Sequence, residues 1–232
     1  MAAILIVYAT YTMDRAIKTK EDEINRQEEM NANKNFVLFL VCSFFLVAVL
    51  VLIKHRVFPL IAFFPLTMGF LYSKGIKIGK ISLKLKGGMG AKNFVVAFAW
   101  AATTSAFVYP AESLQLLLIF IFFFIKSFIN TVIFDCKDIE GDSAAGLITL
   151  PVYFGEAKTR AILQLLHLSF HLSVATLVIL NLVKFEVTIL LYSWVGGMIY
   201  IIMLANSKKI NFRSLVVHGE WIHMLLFKNL AT

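Results

Sequence analysis

Residues 35–53 contain no charged side chain and no proline. About 18 consecutive apolar residues are enough to suggest a helix that crosses a bilayer, and four stretches of this chain approach or exceed that length. Hydrophobic residues make up 59% of the 232-residue chain and charged ones 16%, against roughly 45–50% and 25% in soluble domains. A soluble fold would need an outsized core to hide that excess. The composition therefore implies a membrane protein.

Helices are expected along the whole chain. The apolar opening, 1–13, lacks the basic segment and small-residue cleavage site of a signal peptide, so it reads as part of a spanning helix. Spans follow at 35–53, 57–72, 94–109, 113–134, 159–183 and 187–205, with a short candidate at 215–226. Pro59 and Pro65 predict a kink in 57–72. No strand-like alternation, internal repeat or low-complexity tract stands out. The expected fold is all-α: a polytopic transmembrane bundle of about seven or eight helices, forming one integral-membrane domain over 1–232. Cys42 and Cys136 show neither metal-ligand spacing nor a CxxC pair and are expected as free thiols.

Charge orders the helices across the membrane. The alternate loops 14–34, 74–92, 135–160 and 206–213 hold 17 of the 22 Lys and Arg, while the loops between them hold only Lys54, Arg56 and Lys184. The positive-inside rule puts the basic loops on the cytoplasmic face of the cell membrane. The net charge of +8 then calls for no nucleic acid partner. It lies where anionic lipid headgroups or a phosphorylated substrate can meet it.

Carboxylates are scarce in this chain, so Asp135, Asp138 and Asp142 ask for an explanation. On a continuous helix, offsets of three and seven residues bring all three onto one face. Like charges on one face repel unless a cation sits between them. Oxygen donors suit Mg²⁺, which binds through few carboxylates plus substrate phosphates. A second acidic cluster, Asp14, Glu21, Asp22 and Glu23, lies on the same membrane side, as does the lysine-rich 74–92 loop. Two acidic clusters and a run of lysines suit a Mg²⁺–diphosphate site at a membrane surface. Read blandly, the same charges are solvated loop faces. His167 and His171, at i and i+4 with no HExxH and no nearby carboxylate, read as packing or interhelical hydrogen-bonding residues. The Phe-rich tract 120–128 reads as lipid-facing helix or as one aromatic wall of a channel.

The run Asp135-Cys-Lys-Asp138-Ile-Glu-Gly-Asp142-Ser-Ala-Ala-Gly146-Leu-Ile-Thr149-Leu150-Pro151-Val, with Gly155 after it, resembles the second aspartate-rich motif of the UbiA family of intramembrane prenyltransferases, DxxD(x)EGDxxxGxxTLPVxxG. The stretch Leu71-Tyr72-Ser73-Lys74, then Leu83-Lys84-Leu85-Lys86 and Lys92-Asn93-Phe94, is similar to the family's middle cytoplasmic region. His218-Gly219-Glu220-Trp221 resembles the start of its last helix. The first motif, usually NDxxDxxxD, departs from the pattern. Asp22-Glu-Ile-Asn25-Arg26 matches its tail, but Lys18 stands four residues before Asp22, and the upstream acid, Asp14, stands eight before. Four extra residues are close to one helical turn, so both carboxylates could keep one facing. The family's first helix has no counterpart, and the domain is expected to be incomplete at its N-terminus.

The resemblance implies a helical bundle around a cavity open at the cytoplasmic face, with Mg²⁺-dependent transfer of a prenyl group from an isoprenoid diphosphate to an aromatic or polar-lipid acceptor. By this resemblance Asp14, Asp22, Asp135, Asp138 and Asp142 hold Mg²⁺. Lys84, Lys86, Lys92, Asn25, Arg26, Asn130 and Tyr72 hold the diphosphate. Tyr72, Phe128 and Phe134 are candidates for stabilising a carbocation. The alternative is an inactive relative that binds an isoprenoid or a partner. A phosphotransferase of the CDP-alcohol type lacks its DG start here. A transporter lacks a polar path, since only Lys126 lies clearly within a span. Oligomeric state, chain length of the isoprenoid and identity of the acceptor are not legible.

Overall fold

The computed structural model describes residues 2–16, 33–55, 59–73, 76–78, 81–83, 90–108 and 113–204. They form α1 (Ala2–Ala16), α2 (Lys34–Lys54), a 3-10 turn (Pro59–Ala62), α3 (Phe63–Ser73), β1 (Ile76–Ile78), β2 (Ile81–Leu83), α4 (Ala91–Phe107), α5 (Ser113–Asp135), α6 (Ile139–Ala144), α7 (Leu150–Ile179) and α8 (Val187–Leu204). The bundle is helical, as the composition requires. Among the described residues three helices, within α2, α5 and α7, are long and apolar enough to cross a membrane. The expected helix at 215–226 lies outside the described residues.

α2 illustrates what a lipid solvent asks of a helix. Asn33 caps its start by accepting from the Asn35 amide at 3.0 Å, and Lys54 closes its last turn, where a cation suits the helix dipole. One side, with Ala48 and Leu52, packs on Ala2 and Ile6 of α1 and Ala62. Phe36, Leu38, Phe39, Leu46, Leu50 and Ile53 face outward. Such an apolar surface is costly in water but ordinary in a bilayer, where only the backbone must be satisfied internally.

Four local features depart from the expected segmentation. Pro59 opens a 3-10 turn and Pro65 falls in the first turn of α3, where its missing N–H costs nothing. The basic loop carries a small antiparallel hairpin in the register Ile76↔Leu83, Lys77↔Ser82, Ile78↔Ile81. Its signal was the alternation Ile76-Lys-Ile78 and Ile81-Ser-Leu83 around Gly79-Lys80, a dipeptide suited to a two-residue turn. The short α6 was not anticipated. The helix expected from 159 starts at Leu150, behind Thr149 and with Pro151 in its first turn. It is broken at Gly155, whose φ of 77° and ψ of 162° belong to a region essentially confined to glycine.

A buried polar cluster ties α5, α7 and α8 together. His167 Nε2 donates to the Trp194 carbonyl at 3.0 Å, since a carbonyl can only accept. By the same logic His171 Nδ1 donates to the His167 carbonyl at 2.8 Å, leaving Nε2 to accept from Ser193 Oγ at 3.1 Å. Lys126, fully buried, sits 5.1 Å from the centre of the Tyr200 ring. The two histidines are thus interhelical hydrogen-bonding residues. Below and above them lie the apolar clusters around Ile129, Leu163 and Ile201 and around Phe122, Phe170 and Leu190.

Gly197 makes this approach possible: a Cβ there would press on the His167 ring and stand 3.1 Å from Lys126 Nζ. Overpacking of this kind costs about 1–3 kcal/mol. Gly197→Ala is therefore expected to lower the unfolding temperature in detergent. Gly196→Ala, whose Cβ would meet nothing nearer than Tyr192 at 3.8 Å, should leave it nearly unchanged. Equal melting of the two variants would refute this packing account.

Candidate active site

The acidic run is built by a helix that stops and restarts. The expectation of one continuous helix through all three aspartates does not hold. α5 ends at Asp135, and the amides of Lys137 and Asp138 turn back to the carbonyls of Phe134 and Asp135 at 2.9 and 3.0 Å. Asp138 becomes the N-cap of α6, without a side-chain capping bond. α6 then ends in a left-handed glycine: Gly146, φ 71°, lets its own amide reach the Ser143 carbonyl and the Leu147 amide reach the Asp142 carbonyl. This is the glycine-dependent C-terminal cap, and it fixes the backbone at Asp142. The four-residue step from Asp142 to Gly146 thus has a mechanical reason.

The break brings Asp135 and Asp142 to the first turn of α4. Lys92 Nζ lies 2.8 Å from Asp135 Oδ1 and 3.8 Å from Asp142 Oδ2. Asn93 Nδ2 donates to Asp135 Oδ2 at 2.6 Å. Both carboxylate side chains are 1–2% exposed, whereas Lys92 is 23% exposed. Gly90, left-handed at φ 71°, precedes α4. The buried positions Asn93, Ala97, Ala101 and Ser105 recur every four residues. Small side chains at that spacing let neighbouring helices approach closely, and α5 lies alongside.

Asp14 is half-buried near the end of α1. It lines a small, partly open cleft with Thr10, Tyr11, Met68, Gly69, Val95 and Trp100. Tyr11 and Trp100 stack at 6.0 Å with planes 10° apart. Gly69 admits α1, since a Cβ there would stand 3.0 Å from Thr10 Cγ2. Val95 and Val96 are one turn along α4 from Lys92, so α4 borders both the cleft and the aspartate pair.

Other expected residues fall elsewhere. Asp22, Asn25, Arg26, Lys84 and Lys86 lie outside the described residues, and Tyr72 is in the last turn of α3. Asp138 is half-buried. Asn130 does not extend the face of Asp135. Five residues turn a helix by roughly 140°, and Asn130 Oδ1 accepts from Tyr200 of α8 at 3.1 Å. Phe128 and Phe134 pack against the Ile129–Ile201 cluster rather than the Asp14 cleft. The Phe tract forms a ring ladder with α4: Phe94 meets Phe124 at 5.1 Å and Phe98 meets Phe120 at 5.6 Å.

Among the described residues no three His, Cys, Asp or Glu gather as a metal-ligating group. The donor set is smaller but suits Mg²⁺: two carboxylates already share one cation, and Mg²⁺ takes its remaining ligands from water and phosphate. Asn93 adds a fully buried amide oxygen, Oδ1, with no hydrogen-bond partner among the described residues. The sequence alone marks Asn93 only as half of a Lys-Asn pair. The signal that could have found it is an amide in the first turn of an otherwise apolar helix.

Removing a donor from a buried carboxylate costs about 1–3 kcal/mol. Asn93→Leu should lower the unfolding temperature accordingly, and Asn93→Leu combined with Asp135→Leu should recover most of the loss. No recovery in the double variant would mean that the hydrogen bond is not what stabilises the pair.

Compared with known proteins, residues 1–215 match a model of the UbiA prenyltransferase family. No curated protein and no solved structure matches the chain.

Proposed function

The chain belongs to the UbiA prenyltransferase family, and on that premise we propose that it transfers a prenyl group from an isoprenoid diphosphate to an aromatic or polar-lipid acceptor. The observation that carries this reading is the convergence of Asp135 and Asp142 on one cation, Lys92, at the polar end of an apolar bundle. The C–O bond of the allylic diphosphate breaks and pyrophosphate leaves with the bonding pair. A new bond forms between the prenyl carbon and the acceptor, and the acceptor loses a proton.

Charge develops on the leaving diphosphate, and preorganised cations aimed at that charge lower the barrier. Lys92 supplies one such cation, and Lys84 and Lys86 in the basic loop are assigned the same task. Asp135, Asp142 and Asp138 would hold Mg²⁺, with Asp14 and Asp22 as a second set. When bound, the ion would stabilise the pyrophosphate as a Lewis acid. Asn93 keeps the Asp135 carboxylate oriented. The cleft beneath Asp14 suits the reactive end of the isoprenoid. Its aromatic pair, Tyr11 and Trp100, offers ring faces to a developing carbocation, and its apolar lining excludes water. The basic loops favour a cytoplasmic position for this end of the bundle.

The test is pyrophosphate release from geranylgeranyl diphosphate by the purified chain in lipid. Hydroxybenzoate, dihydroxynaphthoate and geranylgeranylglyceryl phosphate serve as acceptors. Release is expected to require one of them, to stop on chelation and to resume with Mg²⁺. Asp135→Asn and Asp138→Asn should each reduce it by about 100-fold or more without unfolding the protein. Binding of the prenyl diphosphate without turnover by any acceptor would favour the inactive, isoprenoid-binding alternative.

A further inference from the structure

Lys92 bridges the two aspartates that the proposed function gives to a metal. This inference rests on that reading and concerns how the site changes hands. One ammonium contacts both carboxylates, at 2.8 and 3.8 Å. A divalent cation drawn to the same oxygens would stand beside the ammonium, and the two positive charges would repel. One of them must give way.

The structure identifies the member able to move. The Asp135 and Asp142 side chains are almost wholly enclosed, while Lys92 is partly exposed and carries its charge on a flexible four-carbon stem. It lies in the first turn of α4, one residue from Asn93. Asn93 holds the other oxygen of Asp135 through its own 2.6 Å bond, so that carboxylate keeps its orientation when Lys92 leaves. A buried carboxylate without a compensating charge is costly. Lys92 therefore has reason to stay until something replaces it and something else receives it.

We propose that Lys92 is an exchangeable counter-ion, which offsets one of the two charges of Asp135 and Asp142 before substrate binds and yields the carboxylates to a divalent cation as a diphosphate arrives to accept its ammonium. Metal and diphosphate then bind as a coupled pair. Each raises the affinity of the other by the same factor, as linkage requires. With Lys92 in place the bare site resists occupation by metal alone, and these three side chains carry a single net negative charge instead of two.

The experiment uses the full chain in proteoliposomes, with bound Mn²⁺ and radiolabelled inorganic pyrophosphate counted on the pelleted vesicles. Wild type should hold Mn²⁺ weakly alone and about tenfold or more tightly with pyrophosphate, the size of an ordinary coupling. Lys92→Gln should hold Mn²⁺ alone about tenfold more tightly than wild type and gain less from pyrophosphate. Lys92→Arg, which keeps the charge, should resemble wild type. Should Lys92→Gln fail to fold, Lys92→Gln/Asp142→Asn against Asp142→Asn makes the same comparison with the lost charge balanced. Retention of both probes by wild type, with no gain in Mn²⁺ affinity on neutralising Lys92, would overturn the exchange and leave the site standing. Failure of every chain to retain either probe would remove the metal–diphosphate site itself, and the exchange with it.

Discussion

Two carboxylates are enclosed at one end of a largely apolar bundle. Asp135 and Asp142 are tolerable there because Lys92 reaches both and Asn93 donates to one of them. Much of the surrounding geometry serves that arrangement. α5 must end at Asp135, α6 must be short and closed by a left-handed Gly146, and α4 must bring its first turn close to both. Removing one partner of an enclosed ion pair is destabilising, so this contact helps to hold the polar end of the bundle together.

The remainder of the bundle is organised by a different economy. Outward faces are apolar because lipid accepts them, so hydrophobicity alone cannot say which side of a helix is inside. Small residues and polar contacts decide instead. Ala97 and Ala101 sit on the buried side of α4, Gly197 admits His167 and Lys126, and Ser193 and Tyr200 bond across to α7 and α5. α5 thereby carries two unrelated polar faces. Asp135 faces α4, and Lys126 and Asn130 face α7 and α8.

The residues of the second acidic motif mark a charged end of the bundle, but not the backbone that presents it. Spacing on an ideal helix put three aspartates on one face. The chain instead turns between Asp135 and Asp138, and Asp142 comes to Lys92 from a separate helix. The hairpin between α3 and α4 was not foreseen, because the lysines around its short alternation make the segment read as a charged loop. Asn130 stands only five residues before Asp135, yet helix rotation sends it the other way, toward Tyr200.

Composition and patterning alone determined that this chain is a helical membrane protein and where its long spans lie, because about 18 uncharged apolar residues have few other places to go. The specific run from Asp135 to Gly155 carried the family, since its spacing encodes a cap, a turn and a break as well as its acids. Tertiary structure alone decided which of those acids meet, and in whose company. Two carboxylates on separate helices share a lysine from a third only when that third helix packs close enough. That closeness depends on small side chains along α4, and the partner of its buried asparagine lies 42 residues away in the chain.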